Sequence, residues 1–218
     1  VTLIYFPLAF AAISTDKLKT FLNNPKLLEE PDNFKKFSET TPDLIHSPEI
    51  SGILKHKLRN QDKFLPIERS FFLVLFSDHP DLCGSSEFQH FVAVSLTKDK
   101  KAELTALAVI SRTPVLLKNI EISNLVIKLI QQESISYLIA HWLALIINSA
   151  YKQTKEVSYL IKVALFHPRI ELATLLKGIE KEKVIQIKDE GYKNYYFIIF
   201  PNKGRRMKID AFLASIKE

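Results

Sequence analysis

The chain has 218 residues, 47% of them hydrophobic, which suffices for a packed core and excludes a disordered tract. Five Gly set against 15 Phe favour long regular elements, and a single cysteine, Cys83, excludes an intramolecular disulfide and a cysteine-rich zinc site. The formal net charge of +6 biases the surface toward anionic partners, but lysine carries most of it, and lysine lacks the planar fork with which arginine reads phosphate.

Residues 1–22 predict a helix or helix pair that packs Leu3, Phe6, Leu18 and Phe21, with Thr15-Asp16 as a break and cap. Proline and acid content then rises through Pro25, Glu29, Pro31 and Asp43, which predicts short helices and turns. From there a phrase recurs. Pro42 is followed by Leu44, Glu49, Ile50 and Leu54; Pro80 by Leu82, Glu87, Phe88 and Val92; Pro114 by Leu116, Glu121, Ile122 and Val126. A fourth copy starts at Ser149, with Tyr151, Glu156, Val157 and Ile161. Two residues before each acid stands Ser47, Ser85, Asn119 or Thr154, all side chains that accept a bond from the free N–H groups of a helix start. The acid itself sits at the positive end of the helix dipole, and the apolar residues after it fall on one face.

A second helix is read upstream of each anchor, because Leu73 and Phe76, Leu107 and Ile110, and Trp142 and Leu145 keep the same distances from Pro80, Pro114 and Ser149. The anchors are 38, 34 and 35 residues apart. Periods of that size suit stacked helix pairs that bury their apolar faces only against a neighbour. Helices are expected at about 47–59, 66–76, 85–97, 100–111, 119–132, 134–148, 154–166 and 168–182. The packed centre is expected to hold Leu73, Phe76, Phe88, Phe91, Leu107, Ile110, Ile122, Leu125, Trp142, Leu145, Val157 and Leu160. Residues 135–150 are apolar but interrupted by His141 and Asn148, and too short to span a bilayer, so they read as a buried helix with His141 in the interior.

After Lys183 the pattern changes. Val184-Ile185-Gln186-Ile187 and Tyr195-Tyr196-Phe197-Ile198-Ile199-Phe200 are rich in β-branched and aromatic residues and predict a β-hairpin, followed by a turn at 201–204 and a short closing helix at 206–216. The fold class is therefore mainly α, an α-solenoid-like stack with a C-terminal hairpin and closing helix. Its expected divisions are an N-terminal helical cap (1–36), the repeat array (37–183) and the terminal hairpin plus helix (184–218).

No catalytic residue, metal or cofactor is assigned, since the six histidines lack metal-ligand spacing and no Gly-rich phosphate loop occurs. The candidate binding cluster is Lys203, Arg205, Arg206 and Lys208 with Tyr192 and Tyr195, basic and aromatic side chains suited to a phosphate or an acidic partner. On period and capped helix pairs, residues 37–166 resemble HEAT/armadillo-type αα repeats. That resemblance implies a curved stack whose concave side binds a protein or peptide segment. The single cysteine favours a reducing compartment, so the expected setting is the cytoplasm, or a host cytosol for a bacterial effector, and the shortness of the 135–150 stretch speaks against membrane insertion. The alternative is a nucleic-acid-binding helical repeat that uses the basic tail.

Overall fold

The computed structural model describes residues 14–24, 26–27, 30, 42–132, 134–153, 158–193 and 203–216. The chain divides into two compact units, Val1–His79 and Pro80–Glu218. In the first, α1 (Thr15–Asn23) is capped by Ser14, whose hydroxyl accepts from the Lys17 N–H at 3.3 Å, just ahead of the expected break. It buries Leu18, Phe21 and Leu22 and packs on α3 (Pro48–Arg59), as does the short α2 (Pro42–His46). A 3-10 turn at Gln61–Lys63 leads to α4 (Pro66–Asp78), which buries Phe71, Phe72, Leu73, Leu75 and Phe76. Two charged residues of α4 are buried with partners: Glu68 pairs with Lys57 at 3.0 Å, and Arg69 donates from Nη2 to the Gln61 carbonyl at 2.8 Å.

The second unit is built from α5 (Ser86–Lys98), α6 (Lys100–Arg112), α7 (Ile120–Ile130), α8 (Tyr137–Gln153), α9 (Ser158–Phe166), α10 (Leu172–Leu175), α11 (Lys181–Lys193) and α12 (Lys203–Ser215). The recurring phrase has a definite form. Pro80 opens a five-residue 3-10 turn, Ser85 accepts from the Phe88 N–H at 3.2 Å, and α5 follows. Pro114 opens the same turn, Asn119 accepts from the N–H groups of Glu121 (2.9 Å) and Ile122 (3.2 Å), and α7 follows. In the first unit Pro42 opens α2, and Ser47 accepts from the Ile50 N–H at 3.4 Å. In each copy the third residue of the helix, Ile50, Phe88 or Ile122, is fully buried. The fourth cap, Thr154, with Glu156 and Val157, lies outside the described residues.

Helices of the second unit lie in two rows. In one, α5 contacts α7, α7 contacts α9 and α9 contacts α11; in the other, α6 contacts α8, α8 contacts α10 and α10 contacts α12. Cross-contacts join α5 to α6, α7 to α8, α9 to α10 and α11 to α12, and the α6–α8 interface is the most extensive. The helices begun by the recurring phrase, α5 and α7, thus share one row, and α6 and α8, which lie upstream of the Pro114 and Ser149 anchors, share the other. No helix of the described residues is long and apolar enough to cross a membrane.

Four expectations are corrected. Among the described residues there is no β-strand, and 184–187 lie in α11, where Val184 and Ile187 are buried while Ile185 and Gln186 are exposed, a helical rather than alternating pattern. The other arm of the expected hairpin, 195–200, lies outside the described residues. The helix expected at 168–182 is a turn at His167–Ile170, the single turn α10, and a stop at Gly178, whose φ of 78° is left-handed. Most of the expected centre is buried, but Leu125, Trp142 and Leu145 are only half-buried, and in α8 it is Leu143, Ala144, Ile146 and Ile147 that face the core. His141, expected inside, is exposed.

Candidate functional site: a cationic groove beside α12

Helix α12 places its side chains by a four-residue spacing: Arg205, Ile209 and Leu213 are buried, a stripe that turns inward against α9, α10 and α11. Its register is held by Lys188 of α11, which pairs with Asp210 at 3.0 Å, and by Arg205, whose Nε donates to the Leu165 carbonyl of α9 at 2.8 Å. Arg205 is 5% exposed, and its Nη2 has no hydrogen-bond partner. Burial pushes the guanidinium down to about 10, which still leaves it charged at neutral pH. A buried cation with donor capacity to spare is costly unless a counter-group is supplied.

The facing wall is the stretch after α9. His167 is fully buried; its Nδ1 accepts from the Arg169 N–H at 3.1 Å, which leaves Nε2–H to donate to the Gln132 carbonyl at 3.0 Å. The Arg169 side chain donates from Nη1 to the Ile135 carbonyl at 2.8 Å and lies 5.6 Å from the ring centroid of Tyr137. These bonds tie 167–169 to the connection between α7 and α8. Between that wall and α12 runs a groove of about 580 Å³, lined by Tyr137, Arg169, Leu172, Arg205, Lys208 and Phe212 among others. Among the described residues Glu171 is its one acidic lining residue, and its carboxylate accepts from the Thr174 hydroxyl at 2.6 Å. Three cations against one carboxylate give the groove a positive field.

Of the residues singled out from sequence, Arg205 and Lys208 meet in this groove, Arg205 as a buried wall residue and Lys208 as an exposed one. Arg206 is exposed on the same helix. Lys203 opens α12 and Tyr192 lies in α11, with both side chains outside the described set, and Tyr195 is outside the described residues altogether. Sequence reasoning missed Arg169, Tyr137 and Phe212. A signal existed for Tyr137: it follows Ser136, whose hydroxyl accepts from the Ile139 N–H at 3.3 Å, so it occupies a first-turn position that the core does not need, and it is 79% exposed. A second cavity, about 530 Å³ between the end of α5, the start of α6 and the end of α7, has balanced charge, with Asp99 and Glu103 facing Lys100 and Lys128.

What the groove offers chemically is fixed positive charge and an aromatic rim, the means of holding an anionic group. Among the described residues no group of three His, Cys, Asp or Glu side chains is placed to hold a metal ion. Comparisons with models of protein families, with curated proteins and with solved structures returned no match. The site is therefore read from its own geometry.

Proposed function

We propose that the chain is a non-catalytic scaffold of the HEAT/armadillo type that binds a partner protein or peptide segment on the surface of its helical stack. The observation that carries this reading is the two-row packing of the second unit, in which consecutive helix pairs meet mainly their neighbours and so present an extended, repeated surface. The residues that stand out on that surface are of the kind that protein interfaces favour, with Tyr137 79% and Met207 72% exposed. The second reading, a nucleic-acid-binding array, draws on the exposed basic residues Arg206 and Lys208 and on the +6 charge.

One experiment separates the two. The purified chain is titrated with random-sequence DNA and RNA oligomers over a salt series, while proteins captured from cells on the immobilised chain are purified and re-bound by calorimetry. Stoichiometric binding of a purified protein, with oligomer binding lost at moderate salt, supports the scaffold. Oligomer binding that is the tighter of the two, with an affinity whose logarithm falls linearly with the logarithm of salt, overturns it in favour of the second reading.

A further inference from the structure

The groove beside α12 is lined, among the described residues, by three cations, Arg169, Arg205 and Lys208, against the single carboxylate of Glu171. Arg205 gives the one hydrogen bond recorded for its guanidinium, to Leu165, and keeps Nη2 unpartnered although it is buried. Lys208 lies one turn further along the same lining face of α12, and Arg169, on the stretch after α9, lines the same groove. The apolar part of the lining is supplied by Leu172 and Phe212, and Tyr137, 79% exposed, adds a ring open to solvent.

We infer that this groove is the docking site for an acidic peptide segment of the partner protein, with a carboxylate side chain set between Arg205, Lys208 and Arg169 and a neighbouring apolar side chain laid on Phe212. The inference rests on the scaffold reading and names its partner chemistry. Charge complementarity sets the sign of the occupant, since three cations and one carboxylate line the groove. The composition of the lining sets its class: Tyr137, Phe212 and the two arginines are of the types enriched where protein surfaces meet. A nucleic-acid backbone asks instead for a longer basic track with stacking rings. Carboxylates suit the position of Arg205, because its planar fork has spare donors and is already held in place by the Nε bond.

The test is to pan a random peptide display library on the full chain and to measure the enriched peptides by fluorescence anisotropy against wild type, Lys208→Glu and Tyr137→Ala. Both substituted residues are exposed, so the fold should survive, and circular dichroism checks that it does. The expected result is enrichment of peptides with a carboxylate next to a bulky apolar residue, bound about tenfold or more weakly by Lys208→Glu and more weakly by Tyr137→Ala. Peptides of no acidic bias, no enrichment at all, or acidic peptides whose affinity neither substitution changes would each overturn the inference. Tight peptides that ignore both substitutions leave the scaffold reading standing and place its surface elsewhere. A poly-uridine oligomer run as competitor supplies the other separation: if it binds the chain more tightly than any peptide, the scaffold reading itself falls.

Discussion

Asn148 interrupts an apolar helix, and its surroundings account for it. It is 6% exposed in α8, and its Nδ2 donates to the carbonyls of Leu175 (3.2 Å), the last residue of α10, and Lys177 (2.6 Å), in the turn that follows it. A helix that stops after one turn leaves carbonyls without intrahelical partners, and this side chain supplies the donor. Asn148→Leu keeps the branched shape with somewhat greater bulk and removes both bonds, so urea unfolding should show a loss of roughly 1–3 kcal/mol. Asn148→Asp, which brings an acceptor to two acceptors, should lose more. Cys83 gives a residue-scale prediction in pH. It is 1% exposed, and burial pushes its thiol from 9.0 up to about 11. The folded chain therefore keeps a proton that the unfolded chain gives up, so the contribution of this group is whole below about 9 and is lost as pH rises through about 11. The urea midpoint of the native chain should fall across that window relative to Cys83→Ala, and the thiol should label slowly with iodoacetamide until the chain unfolds.

At the scale of the element, Asn119 does two jobs. Its Oδ1 caps α7, and its Nδ2 donates to Gln89 Oε1 of α5 at 3.0 Å, while Gln89 in turn donates to the Cys83 carbonyl of the preceding turn at 3.4 Å. The cap of one repeat is thereby bonded to the body of the one before. Asn119→Ser should keep the cap and lose the bridge, and Asn119→Ala should lose both, with the cap alone worth about 1 kcal/mol in chemical denaturation. If Gln89→Ala costs the same in the Asn119→Ser background as in the native one, the bridge contributes nothing. These helix starts were legible in the sequence because a cap, an acid and a buried residue recur at fixed offsets, a signal with three independent physical causes. The register of α8 was not, because apolar residues cover nearly all of its circumference and Trp142 and Leu145 match the spacing no better than Leu143 and Ile146. Nor was α11: over four residues, Val184-Ile185-Gln186-Ile187 fits both periods, and packing decided against their strand propensity. What fixes the helix lies far off in sequence, such as Lys162 of α9, which pairs with Glu190 and holds its carboxyl below the usual range. The groove was half legible for the same reason, Lys208 and Arg205 being one turn apart on a single helix whereas Arg169 and Tyr137 reach it only through packing.

For the second unit as a whole, neighbour-to-neighbour packing has a consequence for how stability is distributed. In a stack of this kind the free energy is close to a sum of each helix pair's own stability and its interfaces, so helices covered on both sides outlast those at the end of a row. Here α6 and α8 share the most extensive interface, and α8 is also covered by α7, α9 and α10, whereas α12 ends its row and is held by α9, α10 and α11. Amide exchange followed by mass spectrometry should therefore rank peptides of α8 as the slowest and those of α12 as faster by about tenfold or more, a difference of about 1.4 kcal/mol. Leu107→Ala, at a fully buried position of α6, should lower stability by roughly 2–5 kcal/mol and speed exchange in α8 as well. Met207→Ala, 72% exposed on α12, should leave both unchanged. Equal exchange in α6, α8 and α12, released together in one step, would mean that the helices unfold as a single cooperative bundle. The surface beside α12 would then be no more adjustable than the core.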